Sequence, residues 1–276
     1  MSASLSTARS LLFVPGNRPE RFEKAAKSGA DAVILDLEDS VPADDKAAAR
    51  AAVVAGVPAL LRIGVPVVVR INAQGSAAWS DDLTALAQLP GLGAIMVPKA
   101  ESGETLAHVR SVVKGVPLLP LVETAAGFDA VKTLAAAPGV LRLVLGHIDF
   151  LADTGMSCDE QESELTPLRF AVAMATRING LAPAIDGVTV QTGDEKRLRE
   201  DTLRARRFGF GAKLCIHPRQ ITVVHDALAP GHAELAWARR VVEADLAAGG
   251  AAVQLEGRMV DLPVVIQAKR LLAQAR

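Results

Sequence analysis

Short apolar runs recur along the chain at intervals of very roughly 30 residues, and alanine-rich segments with charged faces separate them. The runs are rich in valine, isoleucine and leucine without strict alternation, which is typical of strands buried on both faces. The segments between them have the length and periodicity of helices. This order predicts about eight βα units, with strands at residues 10–15, 32–37, 65–71, 94–97, 117–122, 141–145, 183–188 and 212–216.

Eight parallel strands joined by helices close most naturally into a (β/α)₈ TIM barrel of the α/β class, and 276 residues suffice for a barrel with an additional element. A doubly wound open sheet is the alternative. Several intervening segments begin with a capping acceptor or proline and end near glycine. We therefore expect helices at residues 19–27, 44–54, 81–88, 104–113, 125–136, 167–179 and 194–207.

The residues after the eighth strand exceed what a barrel needs. Residues 233–248 predict a charged amphipathic helix, Gly249 and Gly250 follow it, and a last helix runs to the C-terminus. We expect a catalytic barrel domain over residues 1–230 and a C-terminal helical lid or oligomer-contact extension over residues 231–276. Residues 149–166 are long and polar for a βα connection, so we predict a loop over the barrel rim.

Charge and composition exclude several function classes. A formal net charge of -1 gives no electrostatic footprint for nucleic acid, and no apolar run has the length of a membrane span. Two cysteines cannot build a disulfide framework, and Cys215 lies in an apolar run that predicts a small buried hydrophobe. We expect a cytoplasmic protein with no nucleic-acid or membrane partner.

Polar residues gather directly after the predicted strands. In a barrel, the residues that follow successive strands project toward one pocket at the rim where such barrels place catalytic groups. The sequence places there Asn17, Arg18, Asp36, Glu38, Asp39, Arg70, Asn72, Lys99, Glu123, Asp149, Asp186 and His217.

Glu123 and Asp149 each follow an apolar run, where a buried strand would end. Two carboxylates at neighbouring strand ends suit Mg²⁺, which takes one or two protein carboxylates and completes its shell with water and substrate oxygens. Alternatively, Glu123 caps the next helix and Asp149 begins a turn. No histidine cluster or cysteine pair has zinc spacing, so His147 and His217 are interpreted as hydrogen-bonded or packing residues.

Arg70 ends an apolar strand, and a guanidinium at the mouth of a barrel requires an anionic partner. Two interpretations stay open. Asp36, Glu38 and Asp39 could neutralise it as a structural network, or Arg70 could grip a substrate carboxylate or oxyanion. The acidic triplet exceeds what one arginine needs, so it also suits the orientation of metal-bound water.

Eight segments in order resemble the citrate lyase β-subunit-like proteins, with malyl-CoA and citramalyl-CoA lyases, of the HpcH/HpaI aldolase superfamily. The resemblance covers nearly the whole chain and includes Val-Glu-Thr-Ala at residues 122–125. The remaining segments lie at residues 9–21, 34–41, 69–72, 97–99, 149–150, 185–187 and 213–221.

The resemblance implies an Mg²⁺-dependent carbon-carbon lyase in which Glu123 and Asp149 bind the metal and Arg70 contacts the acyl group. The substrate would be a 3-hydroxyacyl-CoA such as citramalyl-CoA or malyl-CoA. A class II aldolase acting on free pyruvate and an aldehyde is one alternative, and a non-catalytic acyl-CoA-binding barrel is another.

The resemblance also implies contacts to coenzyme A from Phe13, Arg18 and Lys24. Asp261, in the C-terminal extension, matches an aspartate that a lid supplies to a neighbouring subunit, as catalytic acid or base, in a trimer or hexamer. The ordinary alternatives are a solvated helix face for Lys24 and a helix cap for Asp261.

Overall fold

Eight parallel strands form a closed barrel in the computed structural model, which describes residues 4–274. Each strand pairs with the next one along the chain, and the eighth returns to the first through Leu11 and Leu214. This confirms the predicted TIM barrel. The strands are β1 Ser10–Pro15, β2 Ala32–Asp36, β3 Val67–Arg70, β4 Ala94–Val97, β5 Leu118–Val122, β6 Val144–Leu145, β7 Ile185–Asp186 and β8 Ala212–Cys215.

All eight strands lie where the apolar runs predict them, but β6 and β7 are only two residues long. They share a single register pair, Val144 with Ile185. Hydrogen bonding between these neighbouring strands extends beyond that pair, because the Ile185 N–H donates to the Leu143 carbonyl at 2.9 Å. The apolar runs therefore predict the positions of the barrel strands better than the number of residues in each strand that pair regularly with a neighbour.

Helices connect the strands, as predicted, with several differences in extent. The second helix continues nine residues beyond its predicted end, through Pro58, and stops where Gly64 takes a left-handed conformation. The predicted helix at residues 125–136 is divided at Ala130. The helices of this part are α1 Phe22–Ala26, α2 Lys46–Ile63, α3 Trp79–Ala87, α4 Gly103–Val112, α5 Ala125–Asp129, α6 Val131–Ala136, α7 His147–Thr154, α8 Thr166–Ile178, α9 Glu195–Arg207 and α10 Gln220–Leu228.

The predicted loop at residues 149–166 is wrong in its first third, because α7 occupies residues up to Thr154. Asp149 consequently lies in the first turn of a helix, four residues after β6, and not at a strand end. Gly155 ends α7 in a left-handed conformation, and an irregular segment leads to a single 3-10 turn, Ser163–Leu165.

Side chains from alternate positions of the strands fill the barrel interior, among them Leu11, Ile34 and Met96. At the amino-terminal end, the buried Arg142 guanidinium donates to the carbonyls of Leu5 and Ala8 at 3.0 and 2.7 Å. The N-terminal segment thus closes this end of the barrel, so the opposite rim is the one available for a ligand.

The chain divides into two compact units, one that ends at His225 and one that begins at Asp226. The second unit therefore begins five residues before the predicted start of the extension at residue 231. The C-terminal unit has its own apolar core around Ala238, Val241 and Val265. Its elements are α11 His232–Ala247, β9 Val253–Leu255, β10 Arg258–Val260 and α12 Leu262–Gln274. The antiparallel β9–β10 hairpin lies between the two predicted helices of the extension, in a segment for which the sequence predicted neither helix nor strand.

Within residues 4–274, no helix combines the length and the apolar composition needed to cross a membrane.

Candidate active site

A pocket of about 330 Å³ opens at the carboxyl ends of the strands. Its floor is apolar, and its polar groups come from the residues that the sequence places after β3, β5 and β6. Arg70, Glu123 and Asp149 therefore share one pocket, as predicted. The lining residues are Phe13, Arg70, Leu121, Glu123, Leu145, Gly146, His147, Ile148, Asp149, Val188 and Leu214.

Glu123 is the most perturbed carboxyl of the pocket. It follows β5 directly and is 1% exposed, and its Oε1 accepts the backbone N–H of Lys99 at 2.8 Å. Burial, followed by the charges of Glu38 and Asp149, raises its pKa to about 8. A carboxyl held in this way is poorly solvated when ionised, so a bound cation would stabilise its charged form.

Gly146 packs against Glu123 from the neighbouring strand end. A Cβ atom at Gly146 would lie 2.6 Å from Oε2 and 2.7 Å from Cβ of Glu123, distances that side chains do not tolerate. The glycine before His147 therefore makes room for the carboxylate. The sequence shows this glycine, but the packing partner comes from a strand more than 20 residues earlier.

Asp149 reaches the pocket from the first turn of α7 and is half-buried. Its negative charge contributes to the raised pKa of Glu123, so the two carboxyls are close enough to interact. Asp149 and Glu123 thus come from different elements and converge on one pocket, which is the arrangement that a shared cation requires.

Arg70 is held by the acidic triplet. Its Nε and Nη2 donate to the two oxygens of Asp36 at 2.6 and 2.7 Å, and its Nη1 lies 2.9 Å from Oε2 of Glu38. The Asp39 carboxylate is 3.4 Å from Nη1. The structural-network interpretation of Arg70 is therefore correct for these contacts, and the residue also lines the pocket above the Phe13 ring, at 4.9 Å from its centroid.

The network changes the pKa values of its members in opposite directions. Burial alone would raise the pKa of Asp36, but the hydrogen bonds and charge of Arg70 outweigh it and lower that pKa. Glu38 is not so fully compensated, and burial raises its pKa to about 6 despite its contacts with Arg70 and Lys99. Arg70 itself is held in its charged form.

Negative charge is in excess around the pocket, which fits a divalent cation. Five carboxyls face two cations, because Lys99 and Arg70 are the positive groups that pair with the triplet Asp36, Glu38 and Asp39, while Glu123 and Asp149 add two more carboxyls. Oxygen donors of this kind suit Mg²⁺. Among the described residues, no group of three or more His, Cys, Asp or Glu side chains is arranged to hold a metal by itself, so water and substrate oxygens would complete the shell.

Asp186 and His217 are among the predicted rim residues that do not line this pocket. Asp186 is fully buried, and it pairs with Lys213 at 3.0 Å and with Arg169 at 3.3 Å. These cations lower its pKa although burial opposes them. His217 lies in the turn after β8, and its Nδ1 accepts the N–H of Arg219 at 3.1 Å. Asp186 therefore belongs to a buried ion-pair network, and His217 stabilises the turn after β8.

The residues that the resemblance assigns to coenzyme A lie around the β1–α1 connection. Phe13 lines the pocket, whereas Arg18 and Lys24 are exposed. Arg18 bonds to Glu20 at 2.6 Å, a solvent-exposed pair that costs little to separate. Phe13 lies in β1 and Arg18 follows it by five residues, just before the first helical turn, so a ligand that leaves the pocket past Phe13 would meet Arg18 on the same connection.

Asp261 precedes α12 in the C-terminal unit. Its backbone carbonyl accepts the N–H of Val265 at 3.0 Å, and its Oδ1 is 3.5 Å from the N–H of Val264. The capping interpretation of Asp261 is thus present in the structure, and its half-buried carboxyl contributes to that cap.

Cys215 is fully buried, and burial raises the pKa of its thiol to about 12. This agrees with the prediction of a buried hydrophobe and does not suit a nucleophile.

A closed parallel barrel with carboxylates and an arginine in a pocket at the carboxyl ends of its strands has the arrangement of a barrel enzyme. Residues 9–218 match the HpcH/HpaI aldolase/citrate lyase family, and the chain belongs to it. It is therefore a member of a family of carbon-carbon lyases and aldolases, as the sequence predicts.

Relatives match over nearly their full length. A citrate lyase subunit beta-like protein of Deinococcus radiodurans is 36% identical, with 99% of each chain covered. The L-malyl-CoA/beta-methylmalyl-CoA lyase of Cereibacter sphaeroides is 32% identical, over 97% of this chain and 94% of that protein. Protein CitE from Mycobacterium tuberculosis, solved in complex with magnesium, acetoacetate and coenzyme A, superposes with a TM-score of 0.85 at 37% identity, over 98% of this chain and 99% of the other.

Proposed function

We propose that this protein is an Mg²⁺-dependent lyase that cleaves a carboxylate-bearing 3-hydroxyacyl-CoA to a 2-oxo acid and an acyl-CoA. The observation that carries the proposal is the excess of carboxyls around a pocket that also contains Arg70. A lyase relative that acts on malyl-CoA, and a solved relative that contains magnesium and coenzyme A, support it.

Glu123 and Asp149 are the residues that would hold Mg²⁺. When bound there, Mg²⁺ would supply a Lewis acid for the oxygens of the 2-oxo acid portion. The buried Glu123 would be fixed in orientation by the Lys99 N–H, and the half-buried Asp149 would approach from α7. The excess negative charge around the pocket would then favour cation binding.

The bond to be broken joins the hydroxyl-bearing carbon to the carbon next to the thioester. The hydroxyl loses its proton, its carbon becomes the carbonyl carbon of the 2-oxo acid, and the bonding electrons move to the thioester as an enolate. Arg70 would donate from Nη1 or Nη2 to the enolate oxygen, and its bonds to Asp36 keep the guanidinium fixed while the charge develops. The proton that leaves the hydroxyl passes to solvent water and one proton is added to the enolate carbon, so the reaction is neutral in protons.

The coenzyme A portion would leave the pocket past Phe13. Arg18 and Lys24, exposed on the same connection, would contact its phosphates, since guanidinium and ammonium groups are the usual partners of phosphate oxygens. An aldolase that acts on free pyruvate needs neither cation. Substituting both with alanine should therefore raise the KM for a CoA thioester without changing Mg²⁺ affinity.

Asp261 would deliver the proton to the enolate carbon, and we propose that it does so in the active site of a neighbouring subunit. This requires a homo-oligomer, a trimer or a hexamer, which light scattering after size exclusion would detect. Mixing inactive Asp261→Asn protein with inactive Glu123→Gln protein should then restore part of the activity, because some mixed sites would contain both wild-type residues. No recovery after verified subunit exchange would contradict action between subunits.

The decisive variants are Glu123→Ala and Asp149→Ala, assayed for Mg²⁺-dependent release of a 2-oxo acid from citramalyl-CoA and malyl-CoA. Both should lose activity, whereas Asp129→Ala, which removes an exposed carboxyl from α5, should retain it. If both pocket variants kept Mg²⁺-dependent cleavage, the metal assignment would be wrong.

A further inference from the structure

Lys99 has a backbone conformation that is unfavourable for its residue type. It lies two residues after β4 with a φ of 44°, and it is one of three non-glycine residues with positive φ in the described part of the chain. The other two are Glu162 and Glu256. Left-handed conformations of residues with a Cβ persist where the surrounding structure requires them, and they are frequent at functional sites.

The left-handed conformation directs the Lys99 N–H to Glu123. The donor is 2.8 Å from Oε1 of a carboxyl that is 1% exposed. The next residue already returns to the barrel, because the Ala100 N–H bonds to the Leu121 carbonyl at 3.2 Å. The single unusual residue therefore turns one N–H out of the strand direction and toward the pocket carboxylate.

The side chain of Lys99 anchors this conformation on the opposite side. Its Nζ is 2.5 Å from Oε1 of Glu38 and 3.8 Å from Oδ1 of Asp39. Oε2 of Glu38 in turn lies 2.9 Å from Nη1 of Arg70. One residue thus connects Glu123 to the Arg70 network, through its backbone on one side and its ammonium on the other.

We propose that Lys99 is a positioning residue, whose left-handed backbone holds the Glu123 carboxylate in the orientation that binds Mg²⁺ and whose ammonium, paired with Glu38, maintains that backbone. The proposal rests on the proposed function, in which Glu123 is a metal ligand. It assigns the metal-orienting role to a backbone N–H, with the lysine side chain acting as the anchor. Mutation of a group that orients a metal ligand commonly weakens metal binding by about 10- to 100-fold.

Two substitutions at Lys99 separate the backbone from the charge. Lys99→Gly and Lys99→Val both remove the ammonium, a loss that by itself favours cation binding. Glycine adopts positive φ without strain, whereas a β-branched residue strongly disfavours it. Both variants lose the pairing with Glu38, so the difference between them reports the backbone alone: glycine can still adopt the conformation that directs the N–H to Glu123, whereas valine cannot.

The test is calorimetric titration of the folded protein with Mg²⁺, with thermal unfolding as the check on folding. We expect Lys99→Val to bind Mg²⁺ about tenfold more weakly than wild type, and Lys99→Gly to remain within about threefold. Glu256→Val, at the φ of 52° in the C-terminal unit, is the matched control and should bind as wild type does. If the valine variant does not fold, Lys99→Ala replaces it, with an expected loss between those of the other two.

Wild-type affinity in Lys99→Val would overturn the inference, and so would equal weakening in Lys99→Gly and Lys99→Val. Those results leave the proposed function intact as long as Glu123→Gln abolishes Mg²⁺ binding. If wild type binds no Mg²⁺, or Glu123→Gln binds it normally, the metal assignment itself fails and the role of Lys99 fails with it.

Discussion

Gly146→Ala is the smallest substitution that should disturb the metal site. Gly146 has a φ of -111°, which any residue adopts, so alanine brings no backbone strain there. The added methyl group would meet Glu123 at 2.6 Å from Oε2 and 2.7 Å from Cβ, and Leu121 Cδ1 at 3.2 Å. The effect of the variant is therefore steric, and it falls mainly on Glu123, with a smaller contact on Leu121.

The size of the effect follows from these distances. Ordinary contacts of a Cβ atom begin at 3.4 Å, so the Glu123 carboxylate has to move by about 0.8 Å. Its Cβ has to move by about 0.7 Å as well, and because side-chain rotation does not move a Cβ atom, the two backbone segments have to separate. Overpacking of this kind costs about 1–3 kcal/mol in unfolding free energy. A displacement approaching about 1 Å at a catalytic group can reduce the rate by up to about 100-fold.

Urea unfolding and Mg²⁺ titration measure the two consequences separately. Gly193→Ala is the matched control, because a Cβ at Gly193 would meet nothing within 4 Å and its φ lies outside the left-handed region. We expect Gly146→Ala to lose stability and at least about tenfold in Mg²⁺ affinity, with Gly193→Ala unchanged in affinity. Wild-type Mg²⁺ affinity in Gly146→Ala would refute the placement of the metal beside Glu123.

Three further outcomes are expected. Asp261→Asn, which preserves a good helix cap, should lower kcat by about 10²–10⁴-fold with little change in KM, and full turnover would make this residue a cap only. Arg70→Met leaves Asp36 buried without its partner and should destabilise the fold by about 3–5 kcal/mol in urea unfolding, so an unchanged midpoint would contradict the network. Because the pKa of Glu123 is about 8 and Mg²⁺ binds the carboxylate, affinity should fall about tenfold per pH unit below pH 8 and level off above it. Calorimetry at pH 7 in two buffers should show release of about one proton on Mg²⁺ binding, and none would contradict the raised pKa.

The barrel and the pocket carboxyls could be predicted from the sequence for a physical reason. Strands buried on both faces give uninterrupted apolar runs, and a parallel barrel brings the residues after each run to the same rim. Glu123 and Arg70 thus lie where their positions after β5 and at the end of β3 predict. Asp149 reaches the same pocket although its local structure, the first turn of α7, was predicted wrongly.

The parts that could not be predicted depend on contacts between distant segments. The left-handed Lys99 is set by Glu38 and Glu123, which are 61 and 24 residues away. The packing of Gly146 on Glu123 likewise depends on a contact between residues that are far apart in the sequence. The β9–β10 hairpin did have a local signal, because Glu256 and Gly257 form a two-residue turn between short alternating segments, and both have positive φ.

A panel of CoA thioesters tests the proposed reaction most directly. Malyl-, methylmalyl-, citramalyl- and citryl-CoA would each be incubated with the protein, with Mg²⁺ and with a chelator, and the 2-oxo acid and the acyl-CoA would be quantified together. We predict that at least one thioester gives the two products in equal amounts, only with Mg²⁺ present. Release of free coenzyme A without a 2-oxo acid, or equal cleavage in the chelator, would contradict the assignment of this barrel as an Mg²⁺-dependent carbon-carbon lyase.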